Sequence, residues 1–208
     1  MSVGLTITIE DAEVRGMLDS LYAGLREDVA ELNESVGESV RDVVRDYLIE
    51  LSNDPSRHRS ATELGAEPSG FWGRAAKLTT FSASTGGATV SVESPGIGRV
   101  AHDVTITPGE GKQWLTIPLV AAAYNQRAYR TDNLFFVKPR GRDYALLGRR
   151  TGTGGDAAVQ WFYLLVKSVY QTQDRTLLPS DEKLTRTAVK AVKRYVDHLA
   201  NLQKGGAR

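Results

Sequence analysis

The chain contains no cysteine, so a disulfide framework and a thiolate metal site are both excluded. Histidine is scarce as well: His58, His102 and His198 stand alone, no two at metal-ligand spacing, and no His-Glu-x-x-His occurs. Gly109-Glu-Gly-Lys112 begins like a phosphate loop, but Gln113 follows the lysine and the earlier glycine would fall at Ile106. Thr151-Gly-Thr-Gly-Gly155 leads into a strand pattern, whereas phosphate capture uses a helix N-terminus. There is no Gly-x-Ser-x-Gly elbow, and no Ser, His and Asp set stands out. No apolar run approaches the roughly 20 residues of a membrane span, and Met1–Ile9 lacks the basic start and apolar core of a signal peptide. The expectation is a protein without catalytic residues, metal or cofactor. It should not be an enzyme, should hydrolyse nothing and should have no membrane partner.

What is present is a run of short apolar segments between Trp114 and Tyr170. Trp114–Pro118, Leu134–Val137, Tyr144–Leu147 and Val159–Val166 are rich in aromatic and branched side chains and are bounded by Pro, Gly, Asn or Asp. That pattern predicts strands of an antiparallel meander. Ala88–Glu93 and Asp103–Thr107 alternate as half-buried strands do, and Leu5–Ile9 reads as a short strand. Ser94–Gly98 and Pro108–Gly111 are expected to be turns, and Leu119–Tyr124 a helical turn.

Long amphipathic segments occur at the two ends. From Asp11, placed as an N-cap, the residues Val14, Leu18, Leu21, Leu25, Val29, Leu32, Val36, Val40, Val43, Tyr47 and Leu51 repeat at spacings of three and four. This predicts one helix to about Ser52, with Gly16, Gly24 and Gly37 marking a bend or break; a coiled coil is the structural alternative. Near the other end, Ser180 is the expected N-cap, with Asp181 and Glu182 in the first turn. Leu184, Ala188, Ala191, Tyr195, Leu199 and Leu202 form the stripe, and Gly205-Gly206 ends the helix. The predicted fold class is α+β: an antiparallel sheet flanked by a long N-terminal helix and a C-terminal helix. At 208 residues the chain suits a single domain. Its expected parts are an N-terminal strand and long helix over 1–54, an exposed loop and short helix (from Phe71) over 55–78, the sheet over 79–178 and the last helix over 179–204.

The net charge of +1 conceals a division. Residues 1–54 hold 13 acidic and 4 basic side chains, a balance of −9; residues 112–150 hold 8 basic and 2 acidic, a balance of +6. Residues 174–208 hold 8 basic and 4 acidic, a balance of +4. Two accounts fit: attraction within one subunit, or an acidic surface of one subunit meeting basic loops of the next. Arg130, Lys138, Arg140, Arg142, Arg149 and Arg150 are the candidate assembly interface, with Arg149 and Arg150 expected to open a loop. The same cations could hold phosphates nonspecifically, which makes a nucleic-acid-binding or nuclease-like accessory protein the alternative function. Against that, the aromatic residues of the apolar runs read as core and not as a base-stacking platform.

Several segments together resemble the phage virion-morphogenesis (tail-completion, head–tail joining) proteins. They are Thr6-Ile-Thr-Ile-Glu-Asp-Ala-Glu-Val14, the long helix, the polar loop reaching Phe71-Trp72, Leu115–Pro118 followed by Ala123-Tyr124 and Arg127-Ala128, and Arg175-Thr-Leu-Leu-Pro-Ser180 before the last helix. The last is similar to the Arg-Pro-Phe-Leu-Pro-Ala signature of related proteins, with Thr176 and Leu177 in place of Pro-Phe and Ser180 in place of Ala. Residues 79–113 match that pattern least. The resemblance implies a structural α+β subunit that assembles into a homo-oligomeric ring at the neck or tail terminus of a tailed phage or related contractile particle. It also implies neighbouring neck or tail proteins as partners, passing contact with DNA in the channel, and a place in the virion after assembly in the host cytoplasm. It carries over no catalytic residues.

Overall fold

A computed structural model describes residues 5–8, 29–152 and 158–205, with backbone alone described in 5–8 and 200–205. The fold is α+β, with antiparallel sheets, a long N-terminal helix and a C-terminal helix. Its chain divides into two compact units. The first comprises residues 1–53, 72–101 and 174–208, and the second 54–71 and 102–173.

In the first unit, β1 (Leu5–Thr8), β2 (Thr79–Ser84) and β3 (Gly87–Val92) form an antiparallel sheet with β3 in the middle. Alternation along β3 turns Ala88, Val90 and Val92 inward, as period-two patterning requires. Helix α1 (Val29–Asn53) packs on β2 and β3. Its buried row is Leu32, Asn33, Gly37, Val40, Val44, Leu48 and Leu51. The expected stripe was therefore centred to one side, and Val36, Val43 and Tyr47 are only half-buried. Gly37 causes no break, because the helix runs through it. A Cβ there would meet Phe81 Cδ2 at 2.7 Å and Ala88 Cβ at 3.0 Å, so the glycine lets helix and sheet approach closely. Buried Asn33 is satisfied, donating from Nδ2 to the Ser84 carbonyl at 2.7 Å. Asp11, Gly16, Gly24 and the stripe residues before Val29 lie outside the described residues.

The terminal helix, numbered α5 (Asp181–Gly205), follows its expected cap: Ser180 Oγ accepts from the Lys183 amide at 3.3 Å. Leu184, Ala188, Ala191 and Tyr195 are buried and Leu199 is half-buried. This stripe does not cover a sheet as expected. It packs on α1, so α1 is the middle layer between sheet and α5. Burying an aliphatic side chain of this size stabilises by about 1.5–3 kcal/mol. Two shorter helices, α3 (Phe71–Lys77) and α4 (Ile97–Ala101), add Trp72, Ala75, Ala76 and Ile97 to the core.

In the second unit, residues 55–70 form a 3-10 turn (Pro55–His58) and α2 (Arg59–Leu64) where a loop was expected. Asp54 caps that turn, accepting from the Ser56 amide. The expected single sheet over 79–178 is divided. Apart from β2 and β3, β4 (Val104–Ile106) pairs with β9 (Val169–Gln171) in a separate two-stranded sheet among the described residues. A four-stranded sheet is built from β5 (Leu115–Pro118), β6 (Phe135–Val137), β7 (Ala145–Thr151) and β8 (Ala158–Val166). Its order is β5-β8-β7-β6, so β6 to β8 form the expected meander while β5 pairs with β8, a Greek-key order. The register shifts between Leu147, opposite Tyr163, and Gly148, opposite Trp161. This bulge leaves Phe162 as the extra residue, and Phe162 and Tyr163 are both buried although adjacent. Ala123, Ala145, Phe162, Tyr163 and Leu165 are the core, covered by Trp114, Val120, Ala128, Leu134 and Leu147. A Cβ on Gly148 would lie 2.7 Å from the Trp161 ring. The gap lets that ring reach Phe135 edge-on at 5.9 Å.

Candidate assembly interface

The six cations singled out from the sequence all belong to the second unit, and they fall in three places. Lys138, Arg140 and Arg142 occupy the β6–β7 connection, all exposed. There Gly141 takes φ +74° and the Arg142 amide bonds to the Pro139 carbonyl at 3.3 Å. Arg149 and Arg150 are strand residues of β7, opposite Gln160 and Val159, and not the start of a loop. As neighbours in a strand they point to opposite faces. Arg149 is half-buried with its guanidinium 4.7 Å from the Phe162 ring centre, whereas Arg150 is exposed. The β6–β7 turn and this pair lie at opposite ends of β7, so the structure does not bring the arginines into one patch.

Arg130 belongs to a group centred on an exposed aromatic, Tyr129. The segment Ala128–Arg130 is a 3-10 turn that holds Tyr129 outward, 72% exposed. Arg127 donates to the Tyr129 hydroxyl at 3.2 Å, and the Arg127 and Arg130 guanidiniums lie 5.9 and 5.8 Å from its ring centre. The Arg127 hydrogen bond, helped by Arg130 and the nearby charges of Arg127 and Lys112, holds the phenol below its ordinary range. The signal available was an aromatic between two arginines and outside any apolar run.

Among the described residues, none of Lys112, Arg127, Arg130, Lys138, Arg140, Arg142 and Arg150 forms an ion pair with a carboxylate. On α1, in the first unit, the sign is reversed. Along α1, Glu34, Glu38, Asp42, Asp46 and Glu50 recur every fourth residue, all exposed. Arg41 bridges Glu38 at 3.2 Å and Asp42 at 2.7 Å, and its hydrogen bond to Asp42 lifts it above its already high range. The described His, Asp and Glu residues include no group of three or more placed to hold a metal ion. No described helix is long and apolar enough to cross a membrane. Comparison with known proteins found no matching family model, no matching curated protein and no matching solved structure.

Proposed function

We propose that the chain is a structural virion protein, a ring-forming subunit of the neck or tail terminus of a tailed phage or related contractile particle. The observation that carries this reading is the separation of charge on exposed surface. Carboxylates line α1 and cations stud the second unit, most of them lacking an opposite charge among the described residues. Complementary patches of this kind steer association and fix its register more than they add raw affinity. The resemblance of the sequence segments to the tail-completion and head–tail joining proteins supports the same reading. In it, the cations of the second unit face neighbouring neck or tail components.

One observation favours a second reading, nucleic-acid binding. Tyr129 is an exposed ring with two guanidiniums beside it, and stacking and phosphate contact need those groups. A single variant separates the two: Arg130, Arg140, Arg142 and Arg150 changed together to Glu, with Arg149 kept because it rests on Phe162. The ring reading expects a chain that stays folded by circular dichroism but no longer supports particle assembly in a complementation assay. A variant that still yields infectious particles overturns this placement of the interface. Loss of salt-dependent binding to single-stranded DNA, with assembly intact, would favour the second reading.

A further inference from the structure

Where α1 and α5 lie side by side they leave a groove of about 560 Å³, lined by Val43, Thr187, Lys190, Lys193, Arg194 and Asp197. Its cations come from the outward face of α5, where Lys183, Arg186, Lys190 and Arg194 recur at three- and four-residue spacing, with Lys193 alongside. Arg194 is held in place by donating to Ser39 Oγ at 3.1 Å. Of these side chains only Arg186 has an ion pair among the described residues, with Glu182 one turn earlier.

We propose that this groove receives the acidic face of α1 from a second copy of the chain. The inference rests on the ring-subunit reading and names the contact between copies. Its first support is spacing. Carboxylates four residues apart on α1 are about 6 Å apart along the axis, and so are Arg186, Lys190 and Arg194 on α5. Both rows are ridges of the i±4n kind, and such ridges interdigitate when helices cross at about −50°, the commonest packing in globular proteins. A second support is apolar. Ile49 stands 41% exposed among the carboxylates of α1, and Val189 stands 45% exposed on α5 beside Arg186 and Lys193. Val43 and Asp197 in the groove lining suit a helix with mixed side chains better than the uniform negative line of a nucleic acid. The two surfaces differ, so the contact is heterologous. A pair of copies keeps one unused surface of each kind, and repetition closes a ring or extends a fibre.

The test uses the full chain at low salt. Sedimentation of the unaltered protein should show association that increases with concentration. Lys190→Glu with Lys193→Glu makes both surfaces acidic, and Asp42→Lys, Asp46→Lys and Glu50→Lys together make both basic. Each variant alone should associate at least about tenfold more weakly, and an equimolar mixture should recover the loss, since each then offers the other a complementary face. Zero-length crosslinking of isotopically heavy and light copies should join Lys190 or Lys193 of one copy to Asp42, Asp46 or Glu50 of another. Variants that associate like the parent, a mixture that recovers nothing, or a parent that stays monomeric would each overturn the inference. The ring reading would survive those outcomes, because it is judged on assembled particles. Loss of DNA binding by the groove variant, with association unchanged, would also overturn it and assign the groove to phosphates.

Discussion

Gly37→Ala sets two effects against each other, and the structure decides between them. In a helix interior, alanine is favoured over glycine by about 1 kcal/mol. Against that, the added methyl would sit 2.7 Å from Phe81 Cδ2 and 3.0 Å from Ala88 Cβ. Phe81 lies on the edge strand β2 and can swing, but doing so moves it from beneath the Arg41 guanidinium, 5.0 Å above its ring. Ala88 is fixed to the backbone of the central strand and cannot yield without it. Overpacking of this kind costs about 1–3 kcal/mol, so the expected balance is a loss of about 1 kcal/mol. Urea unfolding followed by far-ultraviolet circular dichroism would measure it. In a Phe81→Ala background the nearer clash disappears. The same substitution should then cost at least about 1 kcal/mol less, a coupling that a double-mutant cycle reads directly. If Gly37→Ala alone stabilised the protein by about 1 kcal/mol, α1 would not be pressed against the sheet at this point.

Leu184→Ala removes a buried contact between α5 and α1 and should cost roughly 2–4 kcal/mol in the same unfolding assay; a loss below about half a kcal/mol would show that the stripe is not packed. Tyr129 should ionise at lower pH than an ordinary tyrosine in an absorbance titration, identified by its absence in Tyr129→Phe. In Arg127→Gln its ionisation should move back up, and an unmoved titration would show that Arg127 does not hold the phenol. Because the folded phenol releases its proton earlier than the unfolded one, any linked stability develops only on the alkaline side and is absent at neutral pH.

The helices were legible because their signals are local. Ser180, the two acids after it and the Leu184–Tyr195 spacing fix α5 from within the segment. The centring of α1 is not legible in the sequence, since burial of Asn33 and Gly37 reflects what the sheet offers them and not their own hydropathy. Strand β2 went unread: its segment Thr-Thr-Phe-Ser-Ala-Ser has one large apolar side chain and is stabilised by pairing with β3. The order of the aromatic sheet and the placing of Arg149 depend on pairing across many residues and on a bulge at Phe162, neither of which leaves a trace in period or composition. Six cations could be named from the sequence. That Tyr129 gathers two arginines and that α5 lines a groove required the fold.

The first unit is assembled from three separated stretches, the last beginning at residue 174, whereas most of the second is the continuous block 102–173. During synthesis the ribosome therefore releases every strand of the aromatic sheet before it releases α5. The sheet can close while α1 still lacks the helix that covers its other side, and chain ends emerge at only about 5–20 residues per second. Until α5 arrives, the side of α1 that will meet Leu184 and Ala188 faces solvent. Completion of that unit thus follows release of the whole aromatic sheet, and a premature stop before residue 181 would leave that sheet attached to a helix with one side uncovered.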